Sequence, residues 1–501
     1  MFTYRIPSSA EGFSLRHAYM VAPDGSAVPA AIALEGDLIR VQTDQSGSAS
    51  LALQWDCGEH GELLVRTCLL PPRDEPYTLT LELARRHIML YLVKLEEWAE
   101  FGRPADDPVT NDAQEARRLF MDALAIDADT PERAAEQDGL AQRALELAVD
   151  TGERLTQEHA GKQLARRQVE APLAGAGPVF GCAVDPERFA DPLKKVVAGA
   201  FDYMVMPLRW KELEPEEGKY SFTETDRWIE WAVRQAKLPV AAGPVIEFTA
   251  DSTPEWFFVW ENDYETIREM AYEHVKRVVT RYRRTVYKWI VSSGLHVGDT
   301  LPLSLEEAVD LTRLSALVTR KLHPKAMIVV EIDRPLGEPA GGRPQAINPE
   351  LYAELVAQSG IACDAFGIRV EIGDDTNGHP TRDLMQISDM LDHFAVFEKP
   401  LCVTAAGAPS AGGGPRWHGP WEESSQAQWL CALTEIVLSK PYVTSMNWNQ
   451  LYDTARAGQA AAGGLISDAG TPKAALKCAA DLRRRLRTGE SLAQCAAMAS
   501  P

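Results

Sequence analysis

The chain has too little positive charge to balance its acids: 51 Lys and Arg stand against 72 Asp and Glu in 501 residues, a net charge of −21. A surface of that sign repels polyanions, which argues against nucleic acid and anionic membrane as partners. Apolar runs of membrane-spanning length are absent. The opening MFTYRIPSSAEGF has no basic stretch leading into an apolar core, so no signal peptide is read and a cytoplasmic location is expected. Cysteines stand singly at 57, 68, 182, 363, 402, 431, 478 and 495, with no metal-type pair, and read as reduced core thiols. There is no Gly-rich phosphate loop and no dinucleotide fingerprint, so no cofactor is expected. No second His or Cys stands at ligand spacing from His296 or His379, so no metal is expected either. Asp374, Asp375 and Asn377 read as a solvated turn rather than a calcium loop.

What is present is ordinary for a globular protein, 45% hydrophobic and 25% charged, and long enough for two or three domains. Residues 1–81 contain short alternating runs (GDLIRVQT, SASLALQW, GELLVRTCLL, YTLTLEL) split by turn residues, which predicts a small antiparallel β-sandwich. By analogy such a module can bind carbohydrate; it can equally serve only as a packing domain. Residues 82–170 change to three- and four-residue apolar spacing, which predicts a helical hairpin or small bundle. This segment bridges sandwich and barrel; it can carry a homo-oligomer contact or be a mostly solvated helical linker. Residues 171–487 alternate apolar runs with helices of ten to twenty residues in eight units, the pattern of a (β/α)8 TIM barrel, and 488–501 form a tail.

The stretch Phe201 to Ala232 shows the unit plainly. Tyr203 to Met206 reads as a strand, Arg209, Trp210 and Lys211 as a loop, and Thr223 or Thr225 as the cap of a helix facing inward through Trp228, Ile229, Trp231 and Ala232. Trp210, Pro215, Gly218, Tyr220, Phe222 and Asp226 resemble the second-strand segment of family 10 glycoside hydrolases, the xylanases. FGCAVDPERFAD resembles that family's opening strand, and GLISDAGTPKAALKCAADLRRRL its last loop and helix. The resemblance spans about 177–487 and implies a carbohydrate-active barrel with its site at the C-terminal ends of the strands.

The resemblance also implies two catalytic glutamates, after strands four and seven, about 5 Å apart. Here the strand-four position falls on Gly294, after Ser293, and the strand-seven position on Ala405. The strand-two Lys falls on Arg209, the strand-three histidines are absent, the strand-five Asn falls on Glu331, and the strand-six Gln and His fall on Arg369 and Glu371. Trp448 is kept. New acids stand at strand ends: Glu247, Glu331 with Asp333, and Glu371 with Asp374. Period two puts Arg369 with Glu371, and Glu331 with Asp333, on one face of their strands. Three readings are open. Relocated carboxylates (Glu331, Glu371, Glu247) can hydrolyse glycosidic bonds; the mouth can bind a sugar or other small polar ligand without cleaving it; or the charges form a structural ion network. Arg209, Trp210, Arg369, Asp333, Trp421 and Trp448 are the substrate-binding candidates, the indoles as stacking platforms for sugar rings. Trp256 and Trp417 are further indoles of that kind. Ordinary retaining xylanase activity is not expected.

Overall fold

The computed structural model describes residues 2–492 apart from 8–14, 45, 101, 105, 171, 174–176, 338–345, 455 and 457. The expected tail thus lies outside the described residues after Leu492. Eight parallel strands close a barrel: Phe180–Ala183, Tyr203–Met206, Val240–Ala242, Val286–Ser293, Met327–Ile332, Ala365–Glu371, Leu401–Gly407 and Val443–Trp448. We call them barrel strands one to eight. Strand eight pairs back onto strand one, with Met446 opposite Phe180, so no edge is left open. Strand three breaks at Gly243-Pro244, where proline has no N–H to give, and resumes as Ile246–Glu247. Both halves pair with strand four.

The strands are apolar almost throughout because helices cover the outside and side chains fill the inside. Ala183, Tyr203, Val205 and Ala241 make one interior cluster, and Ile290, Val329, Ala365 and Cys402 another. Gly181 lets the Tyr203 ring in, since a Cβ there would lie 2.4 Å from it. Lys288 is buried among these rings and donates to Ser445 Oγ at 2.8 Å. The interior is a packed core, so ligand space lies above it, at the C-terminal ends of the strands.

The helix after strand two runs Thr223–Glu230 and buries Trp228 and Ile229; Trp231 and Ala232 follow in a π-type turn, also buried. The expected threonine cap is not there. Phe222 holds the cap position and no side chain caps the N-terminus.

The N-terminal region forms two four-stranded sheets. One has the order Ala31–Glu35, Leu38–Gln42, Phe2–Arg5, Tyr77–Thr78; the other Ala27–Val28, Tyr19–Val21, Ser50–Asp56, Glu62–Arg66. Phe2, Tyr4, Ile39 and Val41 of the first share a core with Leu51, Leu53, Leu63 and Val65 of the second. The pairing is antiparallel except where Tyr4 meets Tyr77 in parallel. The run YTLTLEL departs from the strand prediction: only Tyr77–Thr78 is strand, and Leu79 begins a helix. The second sheet is buried on both faces. Its outer face, with Tyr19, Val21, Ala52 and Leu64, lies against the barrel's loops, where Leu64 N donates to Thr381 O at 2.7 Å and Arg382 Nη2 to Tyr19 Oη at 3.2 Å.

Three helices follow, α1 (Leu79–Glu97), α2 (Pro108–Leu124) and α3 (Pro131–Glu170). They pack on the barrel rather than trailing in solvent. Buried Lys94 on α1 pairs with Asp389 at 2.5 Å, and the Arg167 guanidinium on α3 donates to the carbonyls of Leu438, Lys440 and Val443 at 2.8, 2.6 and 2.8 Å. No helix among the described residues is long and apolar enough to cross a membrane. None of the seven described cysteines is in a disulfide, and six of them are buried.

Arg167 closes the end of the barrel helix Glu423–Ser439 and the start of strand eight with three charge-assisted hydrogen bonds. Arg167→Met should lower stability by about 2–4 kcal/mol, read as a lower thermal midpoint. An unchanged midpoint would mean that α3 is merely tethered to the barrel.

Candidate ligand-binding site at the barrel mouth

Strands three, five and six end at the same place. Period two turns Arg369 and Glu371 to one side of strand six, and the twist of the barrel brings the ends of strands three and five to meet them. The Arg369 guanidinium sits at the centre. Its Nη2 reaches Glu371 at 2.9 Å, its Nη1 reaches Glu247 at 3.3 Å and Glu331 at 3.4 Å, and its Nε reaches Asp333 at 3.4 Å. Three of the four acids have a second donor. Glu331 Oε1 accepts from Ser293 Oγ at 2.6 Å, Glu371 Oε1 from Asn449 Nδ2 at 2.8 Å, and Asp333 Oδ1 from Arg334 N at 2.9 Å. Beneath Asp333, the buried His296 ring lies 2.9 Å from the Asp333 carbonyl, and burial pushes its pKa down to about 4.

One cation cannot neutralise four carboxylates. Burial raises Asp333, yet Arg369 and Arg334 outweigh it and hold this acid at about 2. Glu371 is likewise held below its ordinary value, against the pull of burial, chiefly by Arg369. Glu247 goes the other way. Burial, reinforced by Glu331 and Asp333, outweighs Arg369 and lifts it to about 7.

Above the array opens a cavity of about 730 Å³, lined by Glu247, Glu331, Asp333, Arg369, Arg209 and Asn449 among others. That volume lies within the roughly 300–1,000 Å³ of small-molecule sites. Arg209, at the end of strand two, is held by Asp251 at 2.6 Å. One wall comes from outside the barrel: Arg16 and His17 of the N-terminal region pair with Asp375, in the loop after strand six, at 3.1 and 3.0 Å. Asp374 uses its side chain to cap Thr376 and Asn377 within that loop.

The structure therefore brings together Glu247, Glu331, Asp333, Arg369 and Arg209 at one cavity. Glu371 supports the array from a smaller adjoining recess. It does not bring the indoles there. Trp210 is buried, stacked on His274 with its Nε1 on Glu214; Trp448 Nε1 donates to Gly463 O; Trp421 Nε1 donates to Pro415 O. These three are packing residues, and Trp417, buried on Glu153, is another. Trp256 donates its Nε1 to Glu214 O. No Trp, Tyr or Phe among the described residues lines the cavity. Arg16 with His17, Asp251 and Asn449 escape a sequence reading because they sit on three segments far apart in the chain. Asn449, one residue after Trp448 on strand eight, is the one that its position could have flagged.

The two positions where the resemblance implies catalytic glutamates carry no carboxylate. Gly294 has φ +60°, and a Cβ there would meet Asp333 Cβ at 3.3 Å. Ala405 lines the cavity and lies in register with Arg369, not with Glu371, whose neighbour on strand seven is Gly407. The small side chain at 405 leaves the room that the guanidinium fills.

Fold and site together define a (β/α)8 barrel with a charge-lined mouth. Residues 169–295, from the first strand through the fourth, match the family model for glycosyl hydrolase family 10, and the chain is a family-10-like TIM barrel. Similar solved structures include a family 10 enzyme from Paenibacillus barcinonensis (18% identity, 63% of this chain and 98% of that one, TM-score 0.48). Others are xylanase B from Clostridium stercorarium F9 (17%, 62% and 99%, 0.48) and xylanase 10B from Thermotoga petrophila RKU-1 in complex with xylobiose (16%, 63% and 96%, 0.47). At such identity their substrates and active-site residues do not transfer to this chain.

Glu247 gives a test of the array by pH. Its folded pKa, about 7, lies above the ordinary 4.5, so the folded state holds more protons between those values and loses stability as pH rises through them. Glu247→Gln, which mimics the protonated form, should match wild type near pH 4.5. Above pH 7 it should be more stable, by at most about 3 kcal/mol. Thermal midpoints of both proteins across pH 4.5–8 check this; a gap that does not widen with pH would refute it.

Proposed function

We propose that the barrel mouth binds a small, hydroxyl-rich ligand of the carbohydrate class without cleaving it by double displacement. The observation that carries this reading is the convergence of the strand-end acids on Arg369 beneath a walled cavity. A nucleophile or base must offer a free lone pair, and acids held ionised by a guanidinium are weak in both roles. Glu331 is in addition 2% exposed. A polar cavity with fixed charges and no aromatic platform suits recognition by directed hydrogen bonds to hydroxyls. The Arg16–His17 wall favours a mono- or disaccharide-sized ligand over a polymer laid across the barrel face.

One observation favours a second reading, hydrolysis through relocated acids. Glu247 lines the cavity and keeps its proton to about 7, while Asp333 and Glu371 are ionised. Environments that push the pKa values of neighbouring carboxyls apart are how glycosidases divide acid from base. Glu247 would then be the proton donor.

Calorimetric titration with neutral mono- and disaccharides and with uronic acids tests the binding reading. Saturable binding to wild type should weaken at least about 10-fold in Arg209→Met and Asn449→Ala, through lost hydrogen bonds. Absence of binding across the panel, or binding indifferent to both substitutions, would overturn it. The same proteins assayed on aryl glycosides separate the two readings. No turnover of aryl xylobioside is expected; turnover lost in Glu247→Gln would establish the hydrolytic reading instead. Putting the glutamates back, as Gly294→Glu with Ala405→Glu, should not restore activity. At 294 a side chain costs about 1–2 kcal/mol in the left-handed backbone region and presses on Asp333, and at 405 it meets Arg369.

A further inference from the structure

His60, Glu153 and His418 lie far apart in sequence and meet at one point on the molecule, and none of them lines the mouth cavity. His60 ends the short turn Gly58–His60 of the N-terminal domain, Glu153 stands within α3, and His418 lies in the loop after strand seven. One ligand atom from each lies within 4.8 Å of the others. Glu153 is buried and fixed in aim: Oε1 accepts from Leu384 N at 3.0 Å and Trp417 Nε1 at 3.2 Å, and Oε2 faces His418 Nε2 at 2.5 Å. His418 is held in the left-handed region at φ +51°, and its N–H donates to His60 O at 3.1 Å. That backbone bond sets the two imidazoles edge to face, with centroids 5.1 Å apart. The ion pair of Glu153 with His418 accounts for two of the three residues. It leaves His60 unexplained, with a buried Nδ1 that has no partner.

We propose that His60, Glu153 and His418 form a divalent transition-metal site, suited to zinc, that clamps the N-terminal domain, α3 and the strand-seven loop together. Two imidazoles and a carboxylate are borderline-soft donors of the kind zinc takes, with a fourth position left open. His418 is on the solvent side, at 36% side-chain exposure, so a water can complete the set there. Bonds of about 2.0–2.1 Å put tetrahedral ligand atoms roughly 3.3 Å apart. The Glu153–His418 contact must therefore open slightly and the His60 ring close in. The metal replaces the proton between Glu153 and His418, so binding releases it to solvent. Asp150, one turn before Glu153 on α3, adds negative charge that acts on His418. No spacing motif betrays the site, because each ligand comes from a different part of the chain.

The test uses the tag-free full-length chain, stripped with EDTA and titrated with Zn²⁺ by calorimetry and with Co²⁺ by visible absorption. One equivalent should bind, raise the thermal midpoint, and be reversed by EDTA. His60→Gln and His418→Gln should each weaken zinc by about 100-fold or more. His418→Gln can fail to fold by stranding Glu153; His60→Gln keeps the Glu153–His418 bond, and its result then decides alone. Wild type without saturable binding, or zinc held equally by the folded variants, would overturn the proposal.

Discussion

The barrel mouth depends on one guanidinium. Arg369 is the only cation within salt-bridge reach of Glu247, Glu331 and Glu371 among the described residues, and it shares Asp333's surroundings with Arg334. An arginine cannot relieve its burial by losing a proton, so it stays charged and fixes the charge state of everything around it. Three of the carboxylates touch it and have a second donor as well: Ser293, Asn449 and the backbone of Arg334. Glu247 is the one of the four that accepts from no other donor among the described residues, and it is the one whose proton is retained toward neutral pH. The raised pKa comes first from burial, and the negative charge of Glu331 and Asp333 adds to it beyond what Arg369 and Arg209 compensate.

That arrangement and the small residues at 294 and 405 fit one another. In register, Arg369 stands beside Ala405. A glutamate at 405 would take the guanidinium as its own partner and draw it away from Glu371 and Asp333. On strand four, Ser293 bonds Glu331 and Gly294 turns the chain with a positive φ, where a longer side chain would press on Asp333. Each of the two altered positions is small because the array occupies its space. The geometry is self-consistent as a fixed set of charges under a cavity, which is the form expected of a recognition site.

The barrel was legible in sequence because its signals are local and repeated. Each strand is a short apolar run ended by a turn, and runs such as Tyr203–Met206 coincide with the strands observed. The strand-end acids and Arg369 were legible for the same reason, since period two assigns a face once the strand is known. Misreadings arose where the same pattern serves two structures. YTLTLEL alternates like a strand, yet Leu79, Leu81 and Leu83 are buried on a helix that continues to Glu97. Trp210, Trp421 and Trp448 sit at strand ends and in loops, as platforms do, but their indole N–H groups are satisfied within the core. Nothing in a linear reading tells an inward-packed indole from one facing a cavity. Contacts between distant segments, such as Arg16 with Asp375 or His60 with Glu153 and His418, leave no trace in spacing at all.

The N-terminal domain supplies part of the cavity wall. Its second sheet is covered on both faces, by the first sheet on one side and by the barrel's loops on the other. A module meant to bind carbohydrate independently needs a free face; the second sheet has none, and the exposed strand Ala31–Glu35 belongs to the first. What it offers instead is Arg16 and His17 at the cavity wall, tied to the loop after strand six through Asp375. A strand edge or loop from a second domain placed over a barrel mouth narrows a face into a pocket, and a pocket selects by size as well as by hydrogen bonding. The domain's packing against α1 and α3, and theirs against the barrel, holds that wall at a fixed distance from Arg369. The cavity is therefore built by the whole chain, with the barrel supplying its charges and the N-terminal domain one of its walls.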